Sequence, residues 1–193
     1  LTYDVLLPTM VASFTASFTS EFLGLSKFSY HLVLDDRLPW FLIVRLVILG
    51  IIFGLVGYLF ARTMRLTRLT LTNHFPNPVW RIGIVGIIVS ILLFIFHDGR
   101  YASLGTNLIV DSFHGGTIYP YDWLLKMILT ALTLACGFQG GEVLPMFAIG
   151  STLGAALAGI FGLPVDFVAA LGFASVFGSA TNTFLAPIFI GAE

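Results

Sequence analysis

Charge is scarce in this chain: 10% of its 193 residues are Asp, Glu, Lys or Arg, against about 25% in a soluble globular domain. With 58% hydrophobic and 15% aromatic residues and a mean hydropathy of +0.98, that shortage excludes an ordinary soluble fold. It points to an all-α integral membrane protein of multi-pass type, held in a bilayer where helices satisfy their own backbone polar groups. Cysteine occurs once, at Cys136, which excludes an intrachain disulfide and a cysteine-based metal cluster. His31, His74, His97 and His114 fall in separate connections with no ligand spacing, so neither a metal nor another cofactor is expected. The apolar interiors hold no nucleophile–base pair, so an intramembrane enzyme is not expected. No Met and no basic leader opens the chain at Leu1, and it stops at Gly191-Ala192-Glu193 directly after an apolar run. Residues 1–193 are therefore expected to be part of one transmembrane domain, cut at both ends.

What is present is a series of charge-free apolar stretches over 5–20, 46–61, 82–96, 127–141, 143–165 and 167–192. A perpendicular helix needs about 20 residues to cross roughly 30 Å of hydrocarbon. These stretches are unequal and broken by Gly162 and Pro164, which predicts tilted and partial helices packed together. The connections 21–39, 62–81 and 97–126 hold most of the polar residues. Arg62, Arg65, Arg68 and Arg81 occupy 62–81 without an acid, whereas 21–39 and 97–126 include Asp35, Asp36, Asp98, Asp111 and Asp122. The positive-inside rule then makes 62–81 cytoplasmic and 21–39 external. Arginines beside an apolar segment read as a membrane-orientation signal, and no nucleic acid is expected as a partner. Trp40, Trp80 and Trp123 each stand where an aromatic belt would place them. Gly150, Gly154, Ala158 and Gly162 recur every four residues, beside Ser151, Ala155 and Gly159, and Gly50 and Gly54 repeat the spacing. Rows of small residues let helix backbones approach closely in lipid.

The candidate site is Gly137-Phe-Gln-Gly-Gly-Glu-Val-Leu-Pro145, between two apolar stretches. Gly137, Gly140 and Gly141 predict a helix break, with Gly140 and Gly141 taking backbone angles closed to other residues. Pro145 is suited to start the next helix, expected over about 145 to 161. The N–H groups of Glu142, Val143 and Leu144 then become free donors at a helix start. Together with the dipole they form an anion site that needs no formal positive charge, and partial charges release an anion as readily as they bind it. Glu142 is the one carboxylate between 127 and 165. An acid inside a membrane costs roughly 2.5–3.5 kcal/mol or more, and by default marks an ion or proton pathway. Its ionised form competes with the anion and its protonated form vacates the site, which would couple anions to protons; the alternative is a helix cap alone. Lys126 follows Asp122 by four residues, the order of a helical ion pair, with snorkelling to the interface as its expected behaviour. Asn182, between Thr181 and Thr183, either lines a water-filled pore or bonds neighbouring helix backbones.

Residues 123–192 resemble part of the C-terminal half of the CLC family, the voltage-gated chloride channels and proton-coupled anion antiporters. Gly141-Glu142-Val143-Leu144-Pro145 matches that family's GxFxP-type ion-binding loop, Met146-Phe147-Ala148-Ile149-Gly150 continues the match, and Gly178-Ser179-Ala180-Thr181-Asn182-Thr183 corresponds to a later helix start. Leu49–Gly54 and Gly105–Ile109 agree more loosely with two further helices. Glu142, where chloride-type members carry an apolar residue, is similar to the bacterial fluoride/proton antiporter branch. The resemblance implies an inverted-repeat helical homodimer in the plasma or inner membrane, with a pore in each subunit. It also implies transport of fluoride or chloride against protons, with Gly141, Glu142, Val143 and Leu144 around the anion. Leu144 departs from the threonine usual in the fluoride branch, Phe184 from a proline, and Pro187 is also atypical. The half of the family fold with its main gating glutamate, and the last helices with a pore-lining tyrosine, have no counterpart in this chain. A passive chloride channel, a broken-helix transporter for a cation or organic acid, and a diverged inactive copy stand as alternatives.

Overall fold

The computed structural model describes residues 6–24 and 40–192. Most of the connection 21–39, including His31, Asp35 and Asp36, lies outside them. Among the described residues the chain is entirely helical: α1 Leu6–Phe22, α2 Trp40–His74, α3 Pro78–Ile95, α4 Thr106–Phe113, α5 Asp122–Cys136, α6 Val143–Phe161, α7 Val165–Thr181 and α8 Leu185–Ala192, with a 3-10 turn at His97–Gly99. Of the described residues, 6–24 belong to one compact unit and 40–192 to a second. In the first, α1 exposes Leu7, Phe14 and Phe18, and Thr15 and Thr19 return their hydroxyls to the carbonyls of Val11 and Thr15.

In the second unit, α6 and α7 are joined at their backbones. A Cβ placed on Gly150 would stand 2.2 Å from the Gly172 carbonyl oxygen, and one on Gly154 would stand 2.2 Å from that of Val168. The small-residue row therefore works as its spacing suggested for α6. It does not for Gly50 and Gly54, which face open space; on α2 the close approach falls to Gly57, where an added Cβ would stand 2.7 Å from the Ser179 Cβ, and Ser179 donates to the Gly54 carbonyl at 2.8 Å. Leu49, Phe53 and Phe60 of α2, Met127 of α5, Ile149 and Leu153 of α6 and Val168 and Val176 of α7 make one buried cluster.

The helix boundaries depart from the apolar stretches in two ways. Arginine is a good helix former, so α2 runs through Arg62, Arg65 and Arg68 to His74, and only 75–77 remain as a turn. At 35 residues α2 is about 52 Å long by the helical rise, well beyond the roughly 30 Å hydrocarbon layer. Asn77 then caps α3 by accepting from the Val79 N–H, with Pro78 in the first turn. The gain of Pro78–Arg81 lifts α3 to 18 residues, so α2, α3 and α6 are each long and apolar enough to cross a membrane. The stretch 167–192 is two helices, not one, because Asn182 turns left-handed (φ 53°) between α7 and α8. Gly162 and Pro164 separate α6 from α7. Trp40 and Trp80 are exposed near the starts of α2 and α3, whereas Trp123 packs partly into the core.

Candidate functional site

The break between α5 and α6 is present. α5 ends at Cys136, Gly137 adopts φ 118°, and α6 begins at Val143. Of the three glycines only Gly137 takes a left-handed conformation; Gly140 and Gly141 do not. A Cβ on Gly140 would stand 3.2 Å from Leu134 Cδ2, whereas one on Gly141 would meet nothing within 4 Å. The helix starts two residues before Pro145, which occupies its third position and is buried. Proline lacks an N–H, so of the donors a helix start leaves unpaired the chain retains those of Glu142, Val143 and Leu144. Glu142 holds the N-cap position, yet its side chain makes no capping bond. The first bond at this end runs from the Met146 N–H to the Glu142 carbonyl at 3.2 Å. Gly141, Glu142 and Val143 are exposed and Leu144 half-buried, so the donor end of α6 is open.

Arg81 fixes the approach to this break. Its Nε donates to the Cys136 carbonyl at 2.9 Å and its Nη1 to the Thr72 hydroxyl at 3.0 Å. A guanidinium on the last carbonyl of α5 meets the negative end of that helix and ties α2, α3 and α5 together. Nothing in the spacing of Arg81 signals a partner 55 positions away.

A cavity of about 400 Å³ runs from the break along α5, lined by Gly140, Gly141 and Pro145 at one end and by Tyr101, Ser103 and Lys126 at the other. Between them stand Thr130, Thr133 and, from α3, Ser90. Asn182 does not line it. That residue sits exposed at the α7–α8 junction, where Thr181 and Thr183 share a 2.8 Å hydroxyl contact.

At the start of α5, Asp122 is fully buried and accepts from the Tyr101 hydroxyl at 2.6 Å, the Tyr119 N–H at 2.9 Å and Arg100 Nη2 at 3.1 Å. Arg100 also pairs with Asp111 at 3.4 Å and donates to the Thr117 carbonyl. Burial first, then the hydrogen bond and charge of Asp122, hold the Tyr101 phenol above its ordinary range, so it stays a donor. Lys126 neither snorkels nor pairs with Asp122. It is 1% exposed and donates to the carbonyls of Tyr101 at 3.0 Å and Ser103 at 2.8 Å. A short loop with positive φ at Ser103 and Gly105 brings those carbonyls to it, and a Cβ on Gly105 would lie 2.8 Å from the Lys126 Cε. No group of three or more metal-ligating side chains occurs among the described residues.

Broken helices, a bare helix start and a cavity with a few polar side chains among mostly apolar walls are the marks of a multi-pass membrane protein. The sequence profile described as "Voltage gated chloride channel" matches residues 1–193, and the chain belongs to that family. Among solved structures, it is 53% identical to one described as a CLC-type fluoride/proton antiporter, with a TM-score of 0.95, covering 99% of this chain and 48% of that one. A chloride/fluoride channel protein of Pseudomonas syringae pv. tomato (strain ATCC BAA-871 / DC3000) is 35% identical over 199 residues, 99% of this chain and 43% of that protein. The chain thus spans less than half the length of either relative.

Proposed function

We propose that this chain supplies part of one ion-transport domain of a multi-pass transporter that exchanges fluoride, or chloride, for protons across the plasma or inner membrane as a homodimer. The anion sits at Gly141, Glu142, Val143 and Leu144, held by N–H groups and the α6 dipole. Glu142 competes with it when ionised and withdraws when protonated. The observation that carries this reading is the open N-terminus of α6: Glu142 stands at its cap position without capping it, leaving both amides and carboxylate available. The names of the two relatives support the choice of ions. No cofactor, enzymatic step or nucleic acid enters the scheme.

Leu144 favours a second reading, a passive chloride channel, because it brings an apolar side chain packed in the Tyr101–Leu108 cluster where the fluoride branch carries a hydroxyl. Anion efflux from proteoliposomes separates the two. Exchange predicts fluoride efflux that moves protons inward and stops with Glu142→Gln. Chloride efflux without proton movement, or proton-coupled fluoride flux surviving in Glu142→Gln, overturns it.

A further inference from the structure

The cavity beside α5 reaches well past the α6 amides. From Lys126 to Leu134, both in its wall, the helical rise gives about 12 Å, room for more than one anion position. Its far end contains a buried cation with no carboxylate partner. Asp122, one turn away, is occupied by Arg100, Tyr101 and the Tyr119 N–H, and the two bonds of Lys126 go to neutral carbonyls. An ammonium withdrawn from water is costly unless an opposite charge approaches it, and this one has a third N–H to offer. Thr130, one turn along the same helix face, is 7% exposed, lines the cavity and has no hydrogen-bond partner among the described residues. Its hydroxyl donor is unused and reachable from the cavity, and an anion there would accept from it.

We propose that this cavity holds a second small monovalent anion, bound by the Lys126 ammonium and the Thr130 hydroxyl, at the end of α5 opposite the break. The position rests on the anion-transport reading and extends it: an ion from this side of the bundle is received at Lys126, then passes along the Thr130–Thr133 face to the amides of α6. A bare lysine would trap the ion. Here two carbonyl oxygens take up part of its charge, so the attraction is moderated and release remains possible.

The test is fluoride titration calorimetry on the purified full-length protein, with bromide located by anomalous scattering in its crystals. Glu142→Gln serves as the background, so that the α6 position is altered separately. Lys126→Arg keeps the charge and is expected to bind within about threefold of its parent, whereas Lys126→Met loses a charge-assisted bond and about tenfold or more in affinity. Thr130→Val removes a hydroxyl that no protein group uses, so it folds, and weakens binding by about threefold to tenfold. A bromide peak is expected within hydrogen-bond reach of Lys126 Nζ. Absence of that peak, or unchanged affinity in folded Lys126→Met or in Thr130→Val, overturns the proposal. Normal proton-coupled flux alongside those results leaves the transport reading intact; lack of flux in the unaltered protein overturns that reading, while the binding data still decide this one.

Discussion

Asp122 and Lys126 stand one turn apart on α5 and form no ion pair; each is held instead by a different end of Tyr101. The phenol donates to the Asp122 carboxylate at 2.6 Å and the backbone carbonyl accepts from the Lys126 ammonium at 3.0 Å. One residue of an irregular loop thereby separates an acid and a base that a helix would otherwise bring together. The negative charge is left at the start of α5, where the dipole favours it, and the positive charge in the cavity wall.

Removal of one partner tests that division. Asp122→Asn removes the fully buried one of the two carboxylates paired with Arg100, whose side chain is 18% exposed and keeps Asp111 at 3.4 Å, and loss of one member of a buried pair costs up to about 3–5 kcal/mol. Tyr101→Phe forfeits only a hydrogen bond to a charged group, about 1.5–3 kcal/mol. Thermal unfolding in detergent should rank the unaltered protein first, Tyr101→Phe second and Asp122→Asn last. Equal midpoints for the two variants would show that Asp111 alone suffices for Arg100.

The two small-residue rows of α6 give a contrast between glycines at the α6–α7 seam and away from it. An alanine methyl at Gly150 has a carbonyl oxygen 2.2 Å away and no flexible side chain to displace, so Gly150→Ala should cost about 3 kcal/mol or more through overpacking. Gly159 on the same helix has nothing within 4 Å. There Gly159→Ala should raise stability by up to about 1 kcal/mol through helix propensity. Opposite shifts in melting temperature are the expected result. A tolerated Gly150→Ala would mean that the two backbones can separate without loss.

Arg81 carries a third prediction. Arg81→Leu removes the bonds to the Cys136 carbonyl and the Thr72 hydroxyl, and should cost about 1–3 kcal/mol. The anchor lies one residue before the break, so anion efflux should fall by more than the loss of folded protein explains. Efflux per folded molecule equal to that of the unaltered protein would confine Arg81 to stability.

These elements differ in how far the sequence discloses them. The helix break was legible because glycines and a proline interrupt an apolar run, a local signal. The α6 small-residue row was legible because residues four apart lie on the same face of a helix. Long-range relationships were not. Arg81 reads as a basic flank, and its bond to Cys136 depends on how α3 packs against α5. Lys126 reads as a snorkelling side chain because spacing on one helix cannot reveal that a loop from 100 to 105 folds over it. Arginines read as a connection, yet they propagate α2 because charge orients a helix in a membrane without ending it. The resemblance reads Gly178–Thr183 as a helix start, whereas Gly178–Thr181 close α7 and the left-handed Asn182 precedes α8 at Leu185.

The glycines of the break can be separated by function. At Gly137, φ 118° is a conformation that costs an L-residue about 1–2 kcal/mol, and a Cβ there also approaches Ile82 at 3.3 Å. Gly137→Ala should therefore lower the melting temperature and, by shifting the end of α5, disturb transport as a consequence. Gly141 has an ordinary backbone and open space around it, so Gly141→Ala should change stability by no more than about 0.5 kcal/mol. Its methyl would nevertheless stand beside the Glu142 N–H, which is proposed to face the anion. Fluoride efflux by Gly141→Ala should drop severalfold at an unchanged melting temperature. If efflux is instead unchanged while Glu142→Gln abolishes it, the carboxylate acts without the amides, and the anion must be sought further along the cavity toward Thr130.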